Sequence, residues 1–310
     1  MQPTQTFKEE SAPLIQLLKL GLFVTIGLVI IVFLSYVLIF LANGNEIFRN
    51  PKLLANVQFS IPVLKIILVA QQILVFLLPA IALSIFEGRR PTTFYDIRKP
   101  KLKLLFIVLM LMLCSIPILG LTAELNQKMV FPSFLKWLEE WMINLEKQGE
   151  ETTEAILKMN NIGALLINLF VIAIIPAICE EFIFRGALQR IFIKMVRNPH
   201  VAIWISAAVF STIHFQFFGF FPRLFLGAAF GYIYFWTKSI WYTVFAHFLN
   251  NGYAVVIAYY FQKQNLPLKQ ADETSIAWYG YLISAILTLA LFKLLKDQSL
   301  NNNADSNNQI

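Results

Sequence analysis

Charged residues and cysteines are both scarce in this chain. Only 14% of its 310 residues are charged, whereas 58% are hydrophobic, and a composition this apolar excludes an ordinary soluble domain. The two cysteines, Cys114 and Cys179, lie within apolar runs, which excludes a disulfide framework and a zinc site of the CxxC type. We therefore predict an integral membrane protein in which both cysteines are packing residues.

The chain also lacks the GxSxG motif of many serine hydrolases. A cysteine nucleophile fits poorly as well, because Cys179 directly precedes Glu180, whose negative charge disfavours a thiolate. The net charge of +7 comes from basic residues beside the apolar runs. That placement is typical of membrane topology and argues against nucleic acid as a partner.

Long hydrophobic runs predict the fold. A helix needs about 20 apolar residues to cross a bilayer, and several segments approach this length. We predict an all-α fold, a polytopic membrane helical bundle of about eight transmembrane helices. The predicted spans are Leu20–Ala42, Pro62–Phe86, Leu104–Leu121, Gly163–Arg185, Val201–Phe217, Leu224–Trp236, Ile240–Phe261 and Ile276–Leu295.

The positions of Lys and Arg predict the orientation. Basic residues cluster after the second span, from Arg89 to Lys103, and after the fourth, from Arg190 to Arg197. The positive-inside rule places these loops and both termini in the cytoplasm. The acidic loop at about residues 122–160 then lies outside. Its apolar residues at helical spacing indicate an amphipathic helix, either on the membrane surface or packed on the spans.

The predicted organisation has five parts, of which the third carries the candidate chemistry. Both ends of the chain are polar, and we predict that they are disordered. The parts are a polar N-terminal tail (1–16), N-terminal transmembrane helices with the amphipathic loop (17–160), a catalytic core (161–262), the last transmembrane helix (263–297) and a polar C-terminal tail (298–310).

Polar clusters interrupt the apolar spans, and the first contains Glu180, Glu181 and Arg185. Charged side chains in hydrocarbon cost roughly 2.5 to 3.5 kcal/mol each, so their presence indicates a function. Glu181 and Arg185 share one helix face and can form a salt bridge, whereas Glu180 is rotated away by about 100°. Glu180 is then available as a general base or acid. The structural alternative is that the cluster marks the watery end of the span.

Two further clusters carry histidine. His214 lies near the end of the fifth span, and His247 shares a face of the seventh span with Asn251, next to Asn250. A lone histidine is more often structural, and interhelical hydrogen bonding would also explain these side chains. Together with Glu180, however, they supply a base for activating water and donors for an oxyanion, as peptide hydrolysis requires. His200, in a basic turn, is interpreted as a surface residue.

Three sequence motifs contain these residues and resemble a known family. EEFIFR at 180–185, FSTIH at 210–214 and HFLNN at 247–251 resemble the EExxxR, FxxxH and HxxxN signatures of the CAAX protease and bacteriocin-processing (CPBP) family, also called the Abi or type II CAAX prenyl endopeptidase family. The resemblance covers about a third of the chain. It implies an eight-helix intramembrane protease with a site open to the cytosol. It also implies membrane lipid and a peptide or membrane protein as partners, and the plasma membrane of a bacterium as the location.

The resemblance also implies roles for single residues. Glu180 is the catalytic carboxylate that activates water with His214, and His247 and Asn251 stabilise the oxyanion. The structural or positioning residues are Glu181, Arg185 and Asn250.

The family is often labelled metalloprotease, so a zinc ion held by Glu180, His214 and His247 is an alternative. Few carboxylates lie at that depth to orient the histidines. We therefore predict no metal and no cofactor.

The predicted function is an intramembrane endopeptidase. One alternative is a proton- or ion-coupled transporter in which the same groups relay protons. Transporters commonly contain inverted repeats, and we find no convincing repeat here. Gly227 and Gly231 form a GxxxG-like pattern that predicts close helix packing instead. A non-proteolytic membrane regulator or immunity factor of the same fold is the other alternative.

Overall fold

The computed structural model describes residues 9–44, 59–266 and 276–307. Within these ranges the chain is helical and contains no strand, which confirms the predicted all-α helical bundle. The helices, numbered in chain order, are α1 (Pro13–Asn43), α2 (Ile61–Phe86), α3 (Pro91–Phe94), α4 (Leu102–Gln127), α5 (Lys136–Ile156), α6 (Ile162–Val196), α7 (Pro199–Thr212), α8 (Phe220–Thr237), α9 (Ile240–Lys263) and α10 (Trp278–Asn307).

The eight predicted spans fall on α1, α2, α4 and α6 to α10. Among the described residues, six of these helices are long and apolar enough to cross a membrane: α1, α2, α4, α6, α8 and α10. α7 is apolar but has only 14 residues. α9 has 24 residues and carries the polar side chains of the third cluster. The chain is therefore an integral membrane protein.

Two of the long helices contain π-helical turns. These cover Gln72–Leu77 in α2, and Leu169–Ile174 and Phe182–Gln189 in α6. The turns at Gln72–Leu77 and Leu169–Ile174 end two residues before a proline, Pro79 and Pro176. Proline has no backbone N–H, so the regular hydrogen-bond ladder breaks there. All three turns contribute atoms to the candidate site.

The second half of α6 lies at the centre of the bundle, and every side chain from Phe182 to Gln189 is buried. Its polar side chains bind the neighbouring helix α8. Arg185 Nη2 donates to the carbonyl oxygen of Gly227 at 3.0 Å, and Gln189 Nε2 donates to that of Gly231 at 3.1 Å. The same two glycines also let α8 approach α7, because a Cβ atom on Gly231 would lie 2.7 Å from Ile203 Cγ2. This is the close packing that the glycine spacing predicts.

At one end of the bundle, hydrogen bonds to Glu87, which follows α2, link α2 to the start of α1. Its carboxylate accepts hydrogen bonds from the backbone N–H of Ser11 at 2.6 Å and from Lys19 Nζ at 2.7 Å. Burial raises the pKa of Glu87, but the hydrogen bonds from Lys19, Ser11 and Gln16 outweigh it and hold the pKa at about 2. Glu87 therefore stays ionised at neutral pH and anchors the start of α1.

Both basic segments lie at this same end. Arg190 donates to the carbonyl oxygen of Phe94 at 2.5 Å and to Glu10 Oε1 at 2.6 Å. Lys101 Nζ donates to Asn302 Oδ1 at 2.9 Å, which brings the C-terminal helix to this end as well.

The C-terminal helix is longer than the sequence predicts. α10 runs to Asn307, so residues 298–307 are helical where a disordered tail is predicted. Contacts with α4 explain the difference, because Lys103 Nζ donates to Gln298 Oε1 at 2.7 Å and Ser299 is buried. The remaining parts of the predicted tails, residues 1–8 and 308–310, lie outside the described residues.

The predicted amphipathic helix is α5, and it contacts the bundle at the loop that follows α7. The rings of Trp141 and Phe217 are 5.7 Å apart, and Met142 is buried. Phe134 and Trp137 are exposed. The helix therefore packs one face on the bundle and has exposed aromatic side chains near its start.

Candidate functional site

Histidine 247 joins the first and third polar clusters inside the bundle. Its Nδ1–H donates to Glu181 Oε1 at 2.8 Å, since a carboxylate can only accept. Its Nε2 faces Glu180 Oε2 at 3.8 Å. Glu180, Glu181 and His247 are 6%, 0% and 3% exposed. Residues that are 66 positions apart in sequence thus form one buried acid–imidazole group.

The predicted salt bridge within α6 is present. Arg185 Nη1 donates to Glu181 Oε1 at 2.9 Å, and neither side chain is more than 1% exposed. The guanidinium also lies against two aromatic rings, 4.8 Å from the centroid of Phe210 and 5.3 Å from that of Phe230. These cation–π contacts and the bond to Gly227 offset part of the cost of burying the charges.

The same two aromatic rings hold the imidazole of His247. Phe230 stacks on it with centroids 5.4 Å apart and an interplanar angle of 26°, and Phe210 meets it edge-on at 6.0 Å. Phe210 also contacts His214, with centroids 5.0 Å apart. One phenylalanine therefore bridges both predicted catalytic histidines, and Phe210 is also the first residue of the FSTIH motif.

His214 lies just beyond the end of α7 and is half-buried. Its Nδ1–H donates to the carbonyl oxygen of Phe210 at 2.7 Å, so Nε2 carries the lone pair. Asn126 of α4 holds the loop that follows α7. Asn126 donates through Nδ2 to the carbonyl oxygen of Phe217 at 3.0 Å, and its Oδ1 accepts from the backbone N–H of Phe221 at 2.8 Å.

The two asparagines on α9 connect that helix to α6. Asn251 Nδ2 donates to the carbonyl oxygen of Ile172 at 3.1 Å, within the first π-helical turn of α6. Asn250 Nδ2 donates to Asn251 Oδ1 at 3.1 Å, which fixes the orientation of the Asn251 amide.

Gln72 on α2 is a site residue that sequence reasoning missed. Its Nε2 donates to Glu180 Oε1 at 2.9 Å. The signal was the polar pair Gln71–Gln72 inside a predicted transmembrane span, because a buried amide in a membrane helix needs a partner.

The structure also tests the fit of a metal ion. Among the residues described, no three His, Cys, Asp or Glu side chains form a group that could hold a metal. Glu180, His214 and His247, the ligands of the alternative zinc site, are not recorded as such a group. The imidazole of His247 uses Nδ1 on Glu181, which leaves Nε2 as its remaining ring nitrogen.

The site as a whole contains a carboxylate, an imidazole whose Nε2 carries a lone pair, and polar hydrogens in a largely apolar setting. Glu180 can accept a proton, His214 Nε2 can accept a hydrogen bond, and the His247 and Asn251 side chains can donate. These are the groups that general-base hydrolysis with oxyanion stabilisation uses.

Comparison with known families agrees with the motifs. Residues 162–253 match a family model described as type II CAAX prenyl endopeptidase Rce1-like. This confirms the resemblance to the CAAX proteases, and the matched segment contains all of the predicted site residues. No curated protein and no solved structure matches the chain.

Proposed function

We propose that the protein is an intramembrane endopeptidase that hydrolyses a peptide bond of a membrane-associated substrate, such as a CAAX-like or bacteriocin-type peptide. One observation carries the proposal. Glu180 and His247 face each other at 3.8 Å in a buried setting, inside the segment that matches a protease family. A carboxylate and an imidazole are costly to bury in a membrane protein, so their presence indicates a function.

Glu180 acts as the general base. It takes a proton from a water molecule while the water oxygen attacks the carbonyl carbon of the substrate, and His214 Nε2 accepts a second hydrogen bond from that water. The electron pair of the carbonyl bond moves onto its oxygen. When the tetrahedral intermediate collapses, the C–N bond breaks and the leaving amine takes the proton from Glu180.

His247 and Asn251 stabilise the oxyanion. The neighbourhood of His247 contains two carboxylates, Glu180 and Glu181, and one guanidinium, Arg185. With His247 protonated, the four formal charges sum to zero, which suits a buried cluster. Nε2–H is then the donor that faces the substrate, and Glu181 holds the ring from the other side.

Two single variants test these roles. Glu180→Gln and His214→Ala should each lower the cleavage rate by about 100-fold or more, because general acid–base groups contribute on that scale. The assay is cleavage of an internally quenched, farnesylated peptide with a CAAX tail, in detergent micelles with purified protein. In parallel, membrane proteins that accumulate uncleaved in Glu180→Gln cells are identified by mass spectrometry.

The matched control is His200→Ala, since His200 is exposed in the first turn of α7 and bonds Tyr232. This variant should cleave at the wild-type rate. Wild-type cleavage by either site variant, with folding intact, removes the assignment.

We further propose that the reaction needs no metal. Exhaustive chelation should leave the cleavage rate unchanged, because Glu180 and His214 activate the water without a metal ion. The rate is measured before and after treatment with a membrane-compatible chelator, together with elemental analysis of the purified protein. Loss of activity that returns when zinc is added would overturn the metal-free mechanism.

The site is proposed to open toward the cytoplasm of a bacterium, from the plasma membrane. Glu10, both basic segments and Asn302 lie at one end of the bundle. The excess of Lys and Arg at that end supports a cytoplasmic location for it and for both termini.

A further inference from the structure

Gln72 contacts the carboxylate that the proposed mechanism uses as its base. Glu180 divides its two oxygens between different partners. Oε1 accepts from Gln72 Nε2 at 2.9 Å, and Oε2 faces His247 Nε2 at 3.8 Å. The bond from Gln72 therefore fixes the rotation of the carboxylate relative to the imidazole of His247.

The other end of the Gln72 amide is unpaired. Its Oε1 atom is buried and has no hydrogen-bond partner. A buried acceptor without a partner costs about 1 to 3 kcal/mol, so it calls for an explanation. The bond to Glu180 explains it, because an amide that turns Nε2 toward the carboxylate must turn Oε1 away from it.

The backbone at Gln72 is also irregular. Gln72 is the first residue of the π-helical turn Gln72–Leu77, and such turns occur frequently at functional sites. This turn re-aims the side chains of α2 relative to a regular helix. Gln71, the preceding residue, is exposed instead, so two adjacent glutamines of one helix have different environments.

We propose that Gln72 is a positioning residue of this site, which acts through Glu180. Its Nε2 holds the Glu180 carboxylate in the orientation in which it takes the proton from the attacking water. The inference rests on the proposed function. It adds to the site a residue of α2, which lies outside the matched residues 162–253. The N-terminal helices are thus part of the reaction and not only a scaffold.

The experiment compares Gln72→Met with Gln71→Met in the farnesylated CAAX-peptide assay. Methionine keeps the length of the side chain and removes the hydrogen bond to Glu180. For Gln72→Met, kcat should fall about 100-fold, the scale of a misplaced reacting group, while KM stays within about twofold. Gln71→Met should match the wild type. Thermal unfolding of each variant is measured beside the kinetics.

Three results overturn the proposal: wild-type kcat in Gln72→Met, an equal loss in Gln71→Met, or a rise in KM alone. Gln72→Leu is the second variant, with the same expected loss. If both Gln72 variants fail to fold while Gln71→Met folds, the residue is structural and the proposal is wrong. Glu180→Gln distinguishes a failure of the proposed function from a failure of the role of Gln72. If it retains wild-type cleavage, the proposed function fails, whereas its inactivity beside a fully active Gln72→Met removes only the role of Gln72.

Discussion

At the scale of single residues, the pair formed by Glu181 and Arg185 has an exposed counterpart of the same spacing in Glu124 and Lys128. The first pair is no more than 1% exposed, and the second is 49% and 69% exposed. Exposed pairs contribute about 0 to 1 kcal/mol, whereas removing one partner of a buried pair costs about 3 to 5 kcal/mol. The cost is large because the remaining charge stays buried without compensation.

We therefore expect Arg185→Met to lower the free energy of unfolding by about 3 to 5 kcal/mol, and Lys128→Met to change it by less than about 1 kcal/mol. Unfolding of the purified variants in detergent is followed by circular dichroism. Arg185→Met also loses its hydrogen bond to Gly227 and its aromatic contacts, which act in the same direction. Equal stability of the two variants would contradict the structural role of Arg185.

The sequence predicts part of the site and misses part of it, for a physical reason. The bond between Glu181 and Arg185 follows from helix geometry alone, because four residues bring two side chains to one face. The bond from Gln72 to Glu180 joins residues 108 positions apart. It depends on how α2 packs on α6, and local spacing carries no information on that. The same holds for Asn251, whose partner is a backbone carbonyl in another helix.

At the scale of helices, hydropathy locates each element but not its ends. The first span is predicted to begin at Leu20, whereas α1 begins at Pro13. Gln16 and Lys19 interrupt the apolar run, yet both bind Glu87 in the folded protein. The π-helical turns are likewise absent from the hydropathy pattern, because an extra residue in a turn leaves the composition unchanged.

The glycine face of α8 gives a prediction at this scale. In Gly231→Ala, the new Cβ would lie 2.7 Å from Ile203 Cγ2 and 2.8 Å from Gln189 Oε1, and both side chains are buried. Overpacking of this kind costs about 1 to 3 kcal/mol. We expect the midpoint of thermal unfolding to fall in this variant.

Gly120→Ala is the matched control, since a Cβ there meets no atom within 4 Å. Alanine has the higher helix propensity, by about 1 kcal/mol, so this variant should be as stable as the wild type or more stable. If Gly231→Ala is equally harmless, then α7 and α8 are not as closely packed as the structure indicates.

At the scale of the whole molecule, described residues near both ends of the chain and the basic loops converge on one end of the bundle. Residue 10, the segment from Arg89 to Lys103 and residue 302 are linked there by hydrogen bonds with Arg190 and Lys101. α5 lies within the acidic loop, and its residue Glu151 is exposed. An even number of crossings is required for both termini to share a side, and the eight predicted spans satisfy that requirement, as do the six long apolar helices of the described residues.

Cysteine labelling in intact bacteria tests the resulting orientation. In a background of Cys114→Ser and Cys179→Ala, a membrane-impermeant maleimide should label Glu151→Cys and leave Lys99→Cys unlabelled until the cells are opened. Both positions are exposed, so access differs only through the side of the membrane. The expected result follows from the excess of Lys and Arg around Lys99, which the positive-inside rule holds in the cytoplasm. Labelling of Lys99→Cys in intact cells would reverse the topology and place the opening of the site outside.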